Sequence, residues 1–429
     1  MTKYKLDIAL NKVSEFIKSL GSVEEISRRK EYDLFFSLSD EGTLFLSGDE
    51  SARYRESLKF LLDTVGDGII SQKAIENLYQ RAILTALDIQ ERRKYKPFAH
   101  RLEAALEELR KSLTVSPASF NVYYPVYGLA SDGLPIKVGN VMFCTFDDKH
   151  LEQFVKLLSE YEGTEDEKSK RIDFIDIIKQ SEIIGKPVSL IEMKAIDVEA
   201  AKISALKELA LTLDIINFFS DLIPYQKGHI FLPGDNERLK INVPVISQGP
   251  KPNFIFGWEI VGPLMPFSLQ QLLDTNKKRN LGFSKITDLL TKKRNGLEDR
   301  LISAIQWAGK ATVEGKKEEA FLLYAISLES LVLLDNEKEE LTYRLRTRVA
   351  HLLGKDLENR KKISAKVRDL YEIRSKIVHS GWFQVTDADL SLMRLYSKGC
   401  ILHILNDEPF SSMNSINSLV EWFNERILS

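Results

Sequence analysis

The hydrophobic period of this chain changes twice, and that double change limits the fold more than any other feature. Up to about Thr114 apolar residues mostly recur at helical spacing. From Pro117 to about Gln270 they alternate at strand spacing around one long helix, and beyond Gln270 the helical period returns to the end. Strands segregated from helices in this way predict an α+β protein that is mostly α. At 429 residues the chain is too long for one core, so two or three domains are expected. The changes of period set them at residues 1–115, mainly helical with a possible hairpin, 116–270, a mixed α/β middle domain, and 271–429, a helical bundle.

Within the first region, "YDLFFSLSDEGTLFLSG" predicts a hairpin turning at Asp40 to Gly42. The stretch Ala82 to Leu113 carries Leu102, Leu106 and Leu109 as a packed stripe and ends at Pro117. In the second, "ASFNVYYPVYGLASDGLPIKVGNVMFCTF" reads as strands broken at Asp132 and Gly133, and "KPVSLIEMKAID" as another. Asp197 then caps a helix from Val198 to Phe219, with Ala201, Ala205, Leu209 and Leu213 on one face. "GHIFLPG", "LKINVPVI" and "NFIFGWEIV" are expected to complete a mixed sheet. In the third, six helices are predicted: Leu297 to Thr312, one after Gly315, one through Leu345 and Val349 stopped near Gly354, and one through Val367 and Leu370 stopped at Gly381. A fifth is capped by Thr386 with Asp389 in its first turn, and a sixth runs through Leu419 and Phe423.

Several function classes fall away. With 44% apolar and 28% charged residues and a formal charge of -2, any attraction for nucleic acid must be local. The N-terminal "MTKYKLDIALNKVSEF" reads as an amphipathic helix rather than a signal peptide. The most apolar long window, Leu206 to Pro224, holds Lys207, Glu208, Asp214 and Asp221, so no membrane span is expected. Cys144 and Cys400 are the only cysteines, too far apart in pattern for a disulfide framework or a cysteine zinc site, and a reducing cytoplasm fits. No P-loop, dinucleotide fingerprint or Gly-x-Ser-x-Gly elbow occurs, and "GKATVEGKK" lacks the P-loop spacing. "DDKH", Asp147 to His150, reads as a solvated turn.

The chemistry-bearing stretch is "LYEIRSKIVHSG", Leu370 to Gly381, in which four residues separate Arg374 from His379. Five helical steps turn the chain by about 140°, so the two side chains flank an edge instead of stacking, while Ser375 shares a face with His379. Leu370, Ile373, Ile377 and Val378 are expected to form the buried side. Spacing alone selects nothing: Arg346 to His351 has it too, and Arg93 to His100 has a longer version interrupted by Pro97. A histidine in the last turn before a capping glycine is also favoured by the helix dipole without any catalytic duty.

The order of three motifs is more selective. "AFLLYAISLESLVLLDNEKEELTYRLRTRVAHLLG" followed by "VRDLYEIRSKIVHSG" resembles the Apea-like branch of the HEPN superfamily, where a "SLE" helix, an "RVA" helix and "YxIRxxIVHxG" occur in that order. The resemblance runs from about Leu297 to the C-terminus, with a fainter likeness over "VYYPVYGL", "VGNVMF" and the Asp197 helix, and does not extend to the first hundred residues. Ser375 departs from the Asn, Asp or His that many such nucleases carry directly after the arginine. The resemblance implies a HEPN-like helical domain acting as a metal-independent RNA endonuclease. It implies a homodimer pairing through these helices, so that two Arg-x4-6-His motifs share a cleft. His379 would serve as general acid or base on the 2′-hydroxyl or the leaving 5′-oxygen, and Arg374 would stabilise the phosphate charge. Ser375, Lys376 and Arg348 would contact substrate. Glu329 would support the site through an arginine such as Arg348 or Arg374, and Tyr371 would place its hydroxyl at the edge. Products would be a 2′,3′-cyclic phosphate and a 5′-hydroxyl, the substrate tRNA or mRNA, with neither cofactor nor metal. The implied setting is a toxin or anti-phage abortive-infection system with a phage-derived trigger. The alternative is a non-catalytic HEPN scaffold for RNA binding or dimerisation. Between Lys277 and Gly381 there are 23 Lys and Arg against 15 Asp and Glu, a local excess of about eight positive charges suited to phosphate. The runs "KKR" at Lys277 and Lys292, "RLRTR" at Arg344 and "RKK" at Arg360 are the candidate contacts.

Overall fold

A computed structural model describes residues 3–20, 34–38, 42–65, 68–87, 97–159, 178–179, 183–223, 230, 241–242, 245–246, 254–255, 258–259, 266, 268–334, 337, 340–381 and 384–428. In chain order the first elements are α1 (Lys3–Ser19), β1 (Leu34–Leu38), β2 (Gly42–Leu46), α2 (Gly48–Val65), α3 (Gln72–Leu87) and α4 (Phe98–Leu113). Next come β3 (Ala118–Pro125), β4 (Ile136–Val138), β5 (Val141–Thr145), α5 (Asp148–Ser159), β6 (Pro187–Ala195) and α6 (Val198–Ser220). Four two-residue strands follow: β7 (Ile241–Asn242), β8 (Val245–Ile246), β9 (Phe254–Ile255) and β10 (Trp258–Glu259). The rest is helical: α7 (Leu269–Arg279), α8 (Phe283–Leu289), α9 (Gly296–Val313), α10 (Lys317–Val332), α11 (Leu341–Leu353), α12 (Leu357–Ser380), α13 (Asp387–Asn406) and α14 (Ile416–Leu428). The protein is therefore α+β and mostly helical, with one small four-stranded antiparallel sheet.

The contacts group the chain into two compact units. The first holds residues 1–122, 192–205 and 245–254. Its core is built by Leu10, Val13 and Ile17 of α1, Leu61 of α2, Tyr79 and Ile83 of α3, and Leu102 and Leu109 of α4. The hairpin forms as its alternation predicts, with Leu34 opposite Leu46 and Leu38 opposite Gly42, and it buries Leu44 and Leu46. The turn at Asp40 lies outside the described residues, as does Arg93. Asp197 caps α6 by accepting from the Ala200 N–H at 2.9 Å, and its second oxygen accepts from the Ser71 N–H at 2.8 Å. One carboxylate thus satisfies the orphan donors of two helix starts.

The second unit holds residues 123–191, 206–244 and 255–429. The sheet order is β3-β6-β5-β4, with Val141 of β5 opposite both Val138 of β4 and Ile191 of β6. The later strands do not complete this sheet. β7 pairs with β10 and β8 with β9 as separate ladders, and of "GHIFLPG" only Ile230 is described. The expectation of a mixed sheet is corrected accordingly: among the described residues these strands pair only with one another.

The helical part packs in pairs, α9 along α10 and α11 along α12, with α13 against α10 and α14 against α11. All six expected helices form, and α7 and α8 precede them. Thr386 makes the expected capping box with Asp389, accepting from its N–H at 3.1 Å. Ser327 in α10 ties three helices at the centre, donating to the Ala304 carbonyl at 2.7 Å and meeting Ser397 at 2.9 Å. Gly309 of α9 lies directly on the backbone of α6, where an added Cβ would stand 1.9 Å from the Asp214 carbonyl oxygen. No described helix is long and apolar enough to cross a membrane. Asp221, near the end of the most apolar window, instead receives the buried Lys398 and the exposed Arg394 of α13.

Candidate functional site

Helix α12 starts at Asp356, which accepts from the Asn359 N–H at 2.8 Å, and stops at Gly381 in the left-handed region, φ 69°. That stop requires glycine and makes His379 a last-turn residue. Leu370 and Ile377 are buried and Ile373 half-buried, but Val378 is 51% exposed rather than part of the inner face. The reason is angular: Val378 sits roughly 80° around the helix from Leu370, off the stripe that Leu370 and Ile377 define.

Arg374 reaches across to α10. Its Nε stands 2.9 Å from Glu329 Oε1, and its Nη2 donates to Oε2 at 3.2 Å. The Tyr371 ring lies beneath, 5.6 Å from the guanidinium carbon, and its hydroxyl is close enough to Glu329 to favour the charged carboxylate. Burial pushes the Glu329 carboxyl above its ordinary range, and Arg374 and Tyr371 offset this only in part. The Tyr371 phenol is likewise raised, by burial and then by the Glu329 charge. The apolar helix carrying "SLES" is thus compatible with its carboxylate because that carboxylate is paired.

Ser375 is half-buried, and Lys376 and His379 are exposed. No hydrogen bond joins His379 to Arg374 among the described residues, so the two occupy neighbouring edges of one helix end, about 7.5 Å apart along its axis. The structure brings Arg374, Glu329 and Tyr371 together and leaves Ser375, Lys376 and His379 on the adjoining surface.

Arg348 is elsewhere. Expected among the substrate contacts, it is 4% exposed and committed to Glu337, donating from Nη1 to Oε2 at 2.7 Å and from Nη2 to Oε1 at 2.6 Å. Nη1 also donates to the Val332 carbonyl at 2.7 Å. That enclosure corrects the assignment: its donors face a carboxylate and a carbonyl inside the fold, away from any phosphate. Arg344 joins the same Glu337 at 3.0 Å. The second Arg-x4-His pair offers no open edge either, since Arg346 stacks on Tyr343 and His351 is half-buried. Of the basic runs, Lys292 pairs with Glu298 at 3.2 Å and Arg294 with Asp299 at 2.6 Å.

"DDKH" is not a plain solvated turn. Asp147 caps α5, accepting from the His150 N–H at 3.2 Å and meeting His150 Nδ1 at 2.6 Å. The imidazole stacks on Phe146 and brings Nε2 to 3.9 Å from Cys144 Sγ. Sequence reading missed this line of three groups, although Asp-x-x-His at a strand-to-helix junction was a local signal for it. Burial, with the nearby Asp147 charge, pushes the Cys144 thiol up to about 11, so the sulfur is a protonated thiol and not a nucleophile at neutral pH. Among the described residues no cluster of His, Cys, Asp and Glu is arranged to hold a metal ion. No family profile, curated protein or solved structure matches the chain.

Proposed function

We propose that the C-terminal helices form a metal-independent RNA endonuclease of a toxin or anti-phage abortive-infection kind, acting in the cytoplasm as a homodimer on tRNA or mRNA. The observation that carries this reading is that Arg374 is held at a surface edge by Glu329 and Tyr371 while His379, one turn on, is open to solvent. A guanidinium steadied by a carboxylate suits a phosphate, and an exposed imidazole is open to a substrate hydroxyl. In this scheme His379 moves the proton of the 2′-hydroxyl or of the leaving 5′-oxygen, Arg374 stabilises the charge on the phosphorane, and Ser375 and Lys376 orient the strand.

The test is incubation of the full chain with total tRNA and with mRNA in chelator, analysing the ends produced. Cleavage leaving 2′,3′-cyclic phosphate, lost in His379→Ala and Arg374→Ala, is expected; no cleavage by the wild-type chain, or equal cleavage by all three, rules the proposal out. The ion pair between Arg374 and Glu329 favours a second reading, a non-catalytic RNA-binding or dimerisation scaffold. There the same substitutions lower stability or pairing and abolish no chemistry.

A further inference from the structure

We propose that a cleft at the far end of α12 from Arg374 binds a phosphorylated small molecule through its phosphoryl oxygens. The cleft has a volume of about 860 Å³, within the range of roughly 300–1,000 Å³ usual for ligand sites. It is walled by the end of α7, the end of α11, the start of α12, the end of α13 and α14, all within the second unit. Arg360 is fourteen residues before Arg374, which puts the two about 21 Å apart along the helix. The inference stands independently of the nuclease proposal.

Its charge is the first argument. Arg279, from the "KKR" run at the end of α7, and Arg360, from "RKK" in α12, meet Lys355 and Arg426 around the opening. Two basic runs distant in sequence thereby converge on one space. No ion pair to a carboxylate is made by Arg279, Lys355 or Arg360 among the described residues, unlike Lys292, Arg294 and Arg344 of the neighbouring runs. The cleft's two acids, Asp407 paired with His403 and Glu408 accepting from Ser411 at 2.5 Å and Ser412 at 2.8 Å, stand against four basic side chains, so the positive charge is in excess. Uncompensated guanidinium groups facing a concave surface are the arrangement that phosphoryl oxygens neutralise.

The second argument is an orphan atom. His351 Nδ1, in the cleft wall, is buried without a hydrogen-bond partner, and buried polar atoms are rarely left so. A ligand oxygen would become that partner only once the His351 ring turns toward the opening, since the nitrogen is covered as the cleft stands. Burial, and then the charges of Arg360 and Arg426, lower the pKa of this imidazole. The third is the backbone below Arg360. At Gly354 a Cβ would stand 2.5 Å from Arg360 Cγ, and Arg360 Nε donates to the Gly354 carbonyl at 3.4 Å, so the glycine lets the arginine lie over the end of α11. The basic side chains converge on one concave site where five helices meet, which favours a compact ligand over a nucleic-acid strand, whose phosphates would need a continuing basic track.

The experiment titrates inorganic tripolyphosphate and inorganic phosphate into the full chain at constant ionic strength, by calorimetry and phosphorus NMR, with sulfate as control. One tripolyphosphate per chain, bound more tightly than phosphate or sulfate, is expected. Arg360→Gln and Arg279→Gln should each weaken it about ten-fold or more, the size of one charged hydrogen bond, while Arg374→Ala leaves it unchanged. Melting temperatures within about 2 °C of wild type establish that these surface variants are folded, and His351→Phe provides a further variant on a different helix. The idea is overturned by no saturable binding, by equal binding across all variants, or by binding of a single-stranded oligoribonucleotide but not of tripolyphosphate through Arg360.

Discussion

Replacement of Arg348 by alanine tests whether this residue supports the fold or contacts RNA. Its guanidinium is 4% exposed, the Glu337 side chain 10%, and three short hydrogen bonds converge there, two to Glu337 and one to the Val332 carbonyl. Removing one partner of a buried ion pair costs about 3–5 kcal/mol, and the alanine also strands the carbonyl. Glu337 keeps Arg344 at 3.0 Å and the Leu334 N–H at 2.9 Å, which places the expectation near the lower end, about 3 kcal/mol. At roughly 2–4 °C per kcal/mol for a unit of this size, melting should fall by about 6–12 °C in a calorimetric scan. The pH dependence gives an internal check. Burial alone would raise the Glu337 carboxyl, but the hydrogen bonds from Arg348 and the Leu334 N–H outweigh it and hold the carboxyl below its ordinary value. A depressed carboxylate stabilises above its unfolded pKa, near 4.3, and the contribution disappears as pH falls through the folded value. The gap between wild type and Arg348→Ala should therefore be constant from about pH 6 to 8 and narrow below about pH 4.3. A loss under about 2 °C, or weakened RNA binding with unchanged stability, would refute the reasoning.

Three further expectations follow from other contacts. Gly309→Ala drives a methyl into the Asp214 backbone and should cost about 3 kcal/mol or prevent folding, read from urea unfolding, whereas Gly315→Ala, with open space at its Cβ position, should be near neutral. Thr386→Ala removes the acceptor of the Asp389 N–H and should cost about 1 kcal/mol by the same measurement. His351 has a pKa lowered by burial and by Arg360 and Arg426, so the unfolded chain binds its proton more readily; stability should begin to fall as pH drops below about 6.5, and His351→Phe should flatten that part of the melting-temperature profile.

What was legible in the sequence was local. The hairpin needed only alternation flanking a turn, α6 needed Asp197 and an apolar stripe, and the α13 box needed Thr386 and Asp389 three residues apart. What was not legible depended on partners distant along the chain. Arg348 looked like one of several arginines in "RLRTR" until Glu337, in the connection before α11, closed on it. Gly309 looked incidental until α6 crossed it. Val378 is apolar, but its angle on α12 and not its hydrophobicity sets its exposure, and the cleft at Arg279 and Arg360 arises only when α7 and α12 are brought together. Glu329 was intermediate: a carboxylate in so apolar a helix requires a cation, but only packing chooses Arg374 over Arg348.

That choice bears on the two readings of Arg374. An arginine paired with a glutamate can look spoken for, yet the pairing engages only one side of the fork, Nε and Nη2, and the Nη1 end with its two hydrogens is no part of it. A carboxylate at that side fixes the plane of the guanidinium while another oxygen anion approaches the end, so structural pairing and phosphate binding are compatible on one side chain. Glu329→Gln separates the roles. As half of a half-buried pair it should lower stability by about 1–3 kcal/mol, between the surface and buried extremes, whichever reading is true. Only the nuclease reading adds that the amide, still an acceptor of the same shape, should leave measurable RNA cleavage, while Glu329→Ala frees the arginine to swing and lowers kcat further without changing the identity of the ends formed. Equal cleavage in Glu329→Ala and wild type would mean that Arg374 is not being positioned for chemistry at all.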